Sequence, residues 1–248
     1  MKRGHNEDTF GLMEDDHLYI VCDGMGGHAS GEVASHLSID TLKEFFRATS
    51  ADPEATWPYR MDKALSYEEN RFVSGVKLAN LRIFESAQRD PKLRGMGTTM
   101  AGILVVEDGV LVAHVGDSRV YRLRDGELVQ LTEDHSLLND YIKMKKLTEE
   151  EIENFPHKNV IVRALGMKDT VKVDTRYEVP EVGDTFLLCS DGLAGPASDA
   201  EIEQVMRDTS ASDIKTTTTA LIEKANSNGG PDNITAVLVR WTTSDAIA

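Results

Sequence analysis

The 248-residue chain predicts an α+β layered domain. Two observations carry this. Asp108-Gly109 and Asp125-Gly126 each join two apolar runs, the strongest short-range hairpin signal, and hairpins build antiparallel sheets. Long stretches with apolar residues at helical spacing lie between the strand groups, and such helices bury their apolar stripe against a sheet.

The strands are expected at His17–Asp23, Thr98–Val106, Val110–Val115, Val120–Leu123, Leu128–Thr132, Val171–Val179, Thr185–Ser190 and Ile234–Trp241. Helices are expected over Glu32–Phe46, Ser66–Gln88, Ala197–Met206 and Ser212–Asn226. Thr148 followed three residues on by Glu151 reads as a capping box. Residues 136–160 are polar, irregular and short-helical, an excursion that reads as a flap. No internal repeat and no Pro/Gly/Ser-rich linker divides the chain, so a single domain over 1–248 is expected.

Bulk composition narrows the function. The formal net charge of −15 disfavours a nucleic-acid partner. No apolar run approaches the ~20 residues that span a bilayer, and the first residues lack an apolar signal core, so no membrane association and a cytoplasmic location are expected. A monomer is the default. The two cysteines, Cys22 and Cys189, sit in apolar runs, and neither starts a Cys-x5-Arg loop, because His28 and Gly195 stand six residues on. A thiol phosphatase is therefore unsupported.

Some carboxylates stand out by position. Asp108 and Asp125 are turn residues. Asp23 and Asp191 instead close apolar runs, Leu18–Asp23 and Phe186–Asp191, where a carboxylate is costly unless paired, hydrogen-bonded or metal-bound. Capping the next element is the other reading of each. Asp232-Asn233 enters a strand from a Gly-rich turn, Asp117 interrupts two strands, and Glu7-Asp8 follow Arg3. Oxygen-rich, histidine-poor sets suit Mg2+ or Mn2+, and a nearby arginine matches a phosphate dianion.

These segments together resemble the metal-dependent protein phosphatases, the type 2C serine/threonine phosphatases, in their bacterial form. The resemblance runs in order through Arg3-x-x-Asn6-Glu7-Asp8, Val21-Cys22-Asp23-Gly24-Met25-Gly26-Gly27-His28, Gly95-Met96-Gly97-Thr98-Thr99 and Val115-Gly116-Asp117-Ser118-Arg119. It continues through Leu131-Thr132-Glu133-Asp134-His135-Ser136, Val162-Arg163-Ala164-Leu165-Gly166, Cys189-Ser190-Asp191-Gly192-Leu193 and Asp232-Asn233-Ile234-Thr235. The resemblance implies two antiparallel sheets packed face to face with helices outside. It implies two Mn2+ or Mg2+ ions bridged by Asp23, with the Gly24 carbonyl on one and Asp191 and Asp232 completing the other. A third, weaker ion would lie at Asp117 with Asp191. Glu7 and Asp8 would hold metal-bound waters, Asn233 would support the ligands, and Arg3 would grip the substrate phosphate. A metal-bridging hydroxide would then attack phosphoserine or phosphothreonine in line, and the substrates would be phosphoproteins made by serine/threonine kinases.

Two departures follow from the same resemblance. Met25 stands where the eukaryotic branch carries a histidine general acid, which leaves a metal-bound water or His28 as proton donor, with His28 and His135 read first as structural. Only Met1 and Lys2 precede Arg3, where a short strand is expected, so either the native start lies upstream or that edge strand is lost. A non-enzymatic phosphoprotein-binding domain stays open as an alternative. Aspartyl-phosphate chemistry lacks its second aspartate, because Met25 and Leu193 hold that position.

Overall fold

A computed structural model describes residues 4–26, 30–52, 55–144, 147–148, 151–152, 155 and 160–242. Arg3 and His28 lie outside the described residues.

The first hairpin pairs β1 (Asp8–Met13) with β2 (Leu18–Met25), in a register that sets Asp8 opposite Asp23. Helices α1 (Ser30–Ala51) and α2 (Tyr67–Arg89) follow. Then come β3 (Gly97–Thr98), β4 (Met100–Val106), β5 (Gly109–Val115), β6 (Arg119–Arg124) and β7 (Glu127–Gln130). The chain continues through α3 (Leu137–Met144), β8 (Asp174–Glu178) and β9 (Thr185–Cys189). It closes with α4 (Asp191–Ala194), α5 (Asp199–Asp208), α6 (Ile214–Ser227) and β10 (Ala236–Arg240).

The strands form two antiparallel sheets. One runs β1-β2-β4-β5-β8, with β3 on the end of β2, and the other runs β10-β9-β6-β7. Strand alternation sorts the side chains into layers. On β2, Leu18, Ile20 and Cys22 pack with Leu42 and Phe46 of α1 and with Phe72, Val76 and Ile83 of α2. Val21 joins Ile103, Val112, Phe186 and Leu188 between the sheets. On β9, Leu187 and Cys189 pack with Leu193, Ile202, Met206 and Leu221 of the outer helices. The expected sandwich, helices outside and two sheets within, is the architecture found. The same alternation turns Asp23, two residues beyond Val21, toward the seam between the sheets.

The hairpin signals hold. Asp125 (φ 50°) and Gly126 (φ 84°) both adopt left-handed backbone between Arg124 and Glu127, as a tight primed turn requires. Ser198 and Glu201 form a reciprocal capping box, and Asp213 caps α6. The Thr148 hydroxyl accepts from the Glu151 amide at 3.3 Å while Glu151 Oε2 accepts from the Thr148 amide at 2.8 Å. Strand β1 was not expected. Its short run Asp8-Thr9-Phe10-Gly11-Leu12-Met13 mixes polar residues and a glycine among its apolar ones, and Phe10 and Leu12 stay exposed, so the strand exists by pairing with β2 and packing on α1. Among the described residues, no helix is long and apolar enough to cross a membrane.

Phe46 is fully buried, edge-to-face with Phe45 and Phe72, and carries the Arg71 guanidinium 4.2 Å above its ring. Phe46→Ala leaves a cavity in the helix–sheet layer, and urea denaturation is expected to show a loss of about 3–5 kcal/mol with an unchanged activity per folded molecule.

Candidate metal centre

The site lies where β2, the β5–β6 turn, the start of α4 and the entry to β10 meet at one end of the sheet seam. Asp23 is held through its backbone. Its amide donates to Thr99 Oγ1 at 3.0 Å, and its carbonyl accepts from the Thr99 amide at 2.8 Å and Thr98 Oγ1 at 2.9 Å. Thr99 Oγ1 also shares a 2.6 Å hydrogen bond with Ser118 Oγ, which ties the Asp23 strand end to the turn that carries Asp117. A Cβ on Gly24 would overlap the backbone of Gly31 and the Glu7 carbonyl, so glycine there lets the start of α1 close on the strand end.

Asp8 is buried, opposite Asp23 on the neighbouring strand. Its Oδ2 accepts from Ser190 Oγ at 2.8 Å and from Thr235 Oγ1 at 2.7 Å, and Ser190 Oγ accepts the Thr235 amide at 3.1 Å. One carboxylate oxygen thus joins the two sheets beside Asp191. The Glu7 amide donates to Asn233 Oδ1 at 3.0 Å, Asn233 Nδ2 donates to the His5 carbonyl at 3.1 Å, and Asp232 Oδ1 accepts the Asn233 amide at 2.8 Å. The acidic N-terminal segment is therefore sewn to the Asp232-Asn233 turn. Gly192 packs so closely on the Asn233 carbonyl that no side chain fits between α4 and that turn.

Electrostatics show which carboxylates face one another. Burial raises Asp23 well above the ordinary carboxylate range, and the charges of Asp8, Asp191 and Asp117 add to it. Asp117 is pushed up to about 7, by burial first and then by Asp191 and Asp134. Asp8 is also raised by burial, against the hydroxyls of Thr235 and Ser190 that favour its charged form, with Asp191 adding repulsion. So Asp8, Asp23, Asp117 and Asp191 share one low-dielectric space, and like charges there resist joint ionisation. Two buried carboxylate oxygens, Glu7 Oε1 and Asp117 Oδ1, have no hydrogen-bond partner among the described residues. Buried acceptors without donors fit hard divalent cations, which take oxygen ligands and neutralise converging charge.

Of the residues expected from the sequence, Asp8, Asp23, Asp117 and Asp191 converge by mutual charge, while hydrogen bonds join Glu7, next to Asp8, and Asp232 to Asn233. Gly24 occupies the expected strand end. The hydroxyl scaffold of Thr98, Thr99, Ser118, Ser190 and Thr235 carried no role at the sequence level. For Ser118, Ser190 and Thr235 the signal was adjacency, since each lies within three residues of an acidic or amide member of the cluster, whereas Thr98 and Thr99 reach Asp23 only through strand pairing.

A second grouping, His114, His135 and Asp174, brings ligand-type atoms together within 4.8 Å. It does not make a metal site. His135 Nδ1 already accepts the Gly116 amide at 3.0 Å, and its Nε2 faces Asp174 Oδ2 at 2.9 Å. His114 Nε2 donates to the Glu133 carbonyl at 2.8 Å. Lys172 and Arg163 supply the cations that Asp174 needs, at 2.9 and 3.1 Å.

The comparisons with known proteins agree with one another. The family model for protein phosphatase 2C matches residues 2–239. The serine/threonine phosphatase stp of Listeria innocua is 37% identical over 245 residues, covering 96% of this chain and 90% of that protein. Protein phosphatase PhpP of Streptococcus pneumoniae is 36% identical over 229 residues, covering 92% and 87%. The crystal structure of the Mycobacterium tuberculosis serine/threonine phosphatase PstP/Ppp superposes with a TM-score of 0.81 at 34% identity, covering 98% of this chain and 95% of that one. The PstP catalytic domain in complex with two manganese ions gives a TM-score of 0.77 at 33% identity, covering 98% and 94%.

The raised carboxyls set a pH dependence. Asp8, Asp23 and Asp117 hold protons more tightly in the folded, metal-free chain than in the unfolded one, where a carboxyl titrates near 4. Their stabilising contribution is present below about pH 4 and is lost as pH rises through their raised values, about 7 for Asp117. Asp174 acts with the opposite sign, because Lys172, His135 and Arg163 overcome the effect of burial and hold it below the usual range, but that effect lies on the acid side of the window. Burial also lowers His114 and holds His135 down to about 4, so these rings cost stability as pH falls below about 6.5 and offset part of the effect of the three carboxyls. The metal-free protein is expected to melt at a lower temperature at pH 7.5 than at pH 5.5, at roughly 2–4 °C per kcal/mol lost, and saturating Mn2+ is expected to reverse the difference; calorimetric scans across this range read it directly.

Proposed function

The chain belongs to the protein phosphatase 2C family, and on that premise we propose that the carboxylate cluster at the sheet seam hydrolyses phosphoserine and phosphothreonine in protein substrates with the help of bound Mn2+ or Mg2+. The observation that carries this reading is the convergence of Asp8, Asp23, Asp117 and Asp191, with partnerless oxygens on Glu7 and Asp117. In this reading Asp23, the Gly24 carbonyl, Asp191 and Asp232 would hold two ions. Asp117 with Asp191 would hold a third more weakly, and Glu7 and Asp8 would orient bound waters. The ions, when bound, supply an acidified water as nucleophile and positive charge beside the phosphate.

The protein's own part is positioning. Thr98 and Thr99 fix the backbone of Asp23, so its carboxylate keeps one direction as charge develops on the phosphate. Ser190 and Thr235 donate to Asp8 and keep it an acceptor rather than a stray charge. Asn233 anchors the N-terminal segment and so sets the footing of the segment that leads to Arg3, the assigned phosphate grip. Met25, whose carbon and sulfur pack over Gly97, has no proton to give the departing alkoxide, so the proton comes from water at the cluster or from His28. Residues 1–248 act as one catalytic domain with a flap near 136–160. The enzyme is a cytoplasmic monomer acting on phosphoproteins made by serine/threonine kinases.

Hydrolysis of p-nitrophenyl phosphate and of a phosphothreonine peptide with Mn2+ tests this. Asp23→Asn and Asp191→Asn are each expected to lower kcat/KM at least about a thousandfold, about 4 kcal/mol of transition-state stabilisation, and chelation is expected to abolish turnover. Undiminished turnover in either variant contradicts the assignment.

A further inference from the structure

The Gly116-Asp117 turn is gripped from another part of the chain. Gly116 has φ of 111°, a left-handed backbone that favours glycine, and a Cβ there would overlap Thr99. Its amide donates to His135 Nδ1 at 3.0 Å, and its carbonyl accepts the His135 amide at 2.9 Å. One residue, 19 positions on, therefore holds both polar groups of the glycine that aims Asp117.

The ring's protonation follows from the geometry. An amide can only donate, so Nδ1 carries no proton and the ring hydrogen sits on Nε2. Nε2 then donates to Asp174 Oδ2 at 2.9 Å. Arg163 Nη1, 2.9 Å from Nε2, converges on the same carboxylate oxygen at 3.1 Å instead of bonding to the ring. His114 stacks on the other side at 4.6 Å between ring centroids, and its own Nε2 is spent on the Glu133 carbonyl. The imidazole is thus locked in one tautomer and one orientation by Asp174, Arg163 and His114, and its acceptor nitrogen is presented to Gly116. The backbone carbonyl of His135 accepts the Val162 amide at 2.9 Å, which fixes its main chain as well.

We propose that His135 is a positioning residue for the metal centre: by holding Gly116 at both polar groups, it fixes the direction of the Asp117 carboxylate toward Asp191. The proposal rests on the reading of Asp117 as a cation ligand given above. It makes His135 neither a ligand nor an acid. Its acceptor nitrogen is the working atom, and Asp174 serves to keep that atom unprotonated and correctly turned.

Two substitutions separate the ring's two ends. Asparagine carries an oxygen on the same carbon that bears Nδ1, so His135→Asn keeps an acceptor for Gly116 and drops the reach to Asp174. Glutamine moves the amide one carbon outward, so His135→Gln keeps the reach and drops the acceptor. Mn2+ binding is read by electron paramagnetic resonance of the free ion, and the Gly116 amide by hydrogen exchange. His135→Ala and His135→Gln are expected to weaken the weakest class of Mn2+ site by about tenfold and to speed Gly116 exchange, in line with a buried donor left without an acceptor. His135→Asn is expected to stay within about twofold of the parent, since it keeps that acceptor. If His135→Ala does not fold, the contrast between Asn and Gln decides. Equal binding by Asn and Gln, or rescue by Gln alone, overturns the proposal. Asp117→Asn is the control: weakened Mn2+ binding there with an unchanged His135→Ala isotherm defeats the clamp alone, while an unchanged Asp117→Asn isotherm defeats the ligand assignment on which it rests.

Discussion

Mutual repulsion among buried carboxylates is the constraint around which this protein is arranged. Asp8, Asp23, Asp117 and Asp191 come from four different places in the chain, and each raises the cost of ionising another. A fold that merely sought stability would replace them, since buried like charges cost free energy that no hydrogen bond here recovers in full. They stay close because the surrounding structure over-determines them. Cations are the natural counterweight, and Glu7 Oε1 and Asp117 Oδ1 are acceptors with no donor among the described residues to satisfy them.

The surrounding structure holds these groups with neutral donors. Thr98 and Thr99 bind the backbone of Asp23, Ser190 and Thr235 bind the side chain of Asp8, and Ser118 links Thr99 to the Asp117 turn. Hydroxyls fix direction without adding charge, so the cluster keeps its appetite for cations. Glycines do the steric part: Gly24 against Gly31, Gly116 against Thr99, and Gly192 against Asn233 are contacts that a single Cβ would break. The two sheets supply rigidity. Val21 and Leu188 are buried between them, one strand step from Asp23 and Ser190, so the polar site is continuous with the apolar seam.

Much of this was legible in the sequence because it depends on short-range rules. Asp-Gly turns, capping boxes and apolar periodicity gave the hairpins, the outer helices and the sandwich. Asp23 and Asp191 could be separated from Asp108 and Asp125 because only the first pair closes a run that must be buried. What stayed hidden depends on pairing across long separations. Strand β1 has too little apolar content to announce itself and forms by lying against β2. The hydroxyl scaffold joins residues up to 227 positions apart, such as Asp8 and Thr235, which no local pattern encodes. His135 had a structural reading from its place at a strand exit, but its partner Gly116 and the roles of His114 and Asp174 appear only when β5, β8 and the segment after β7 are brought together.

The central claim is that cations replace protons on this carboxylate cluster. Titration calorimetry with Mn2+ at pH 6, repeated in buffers of different ionisation enthalpy, counts the protons released per protein on binding. At least about one proton is expected at pH 6 and clearly fewer at pH 8, because Asp117, raised to about 7, is already ionised there. Mn2+ binding with no proton release at pH 6, or with the same release at both pH values, would contradict the account.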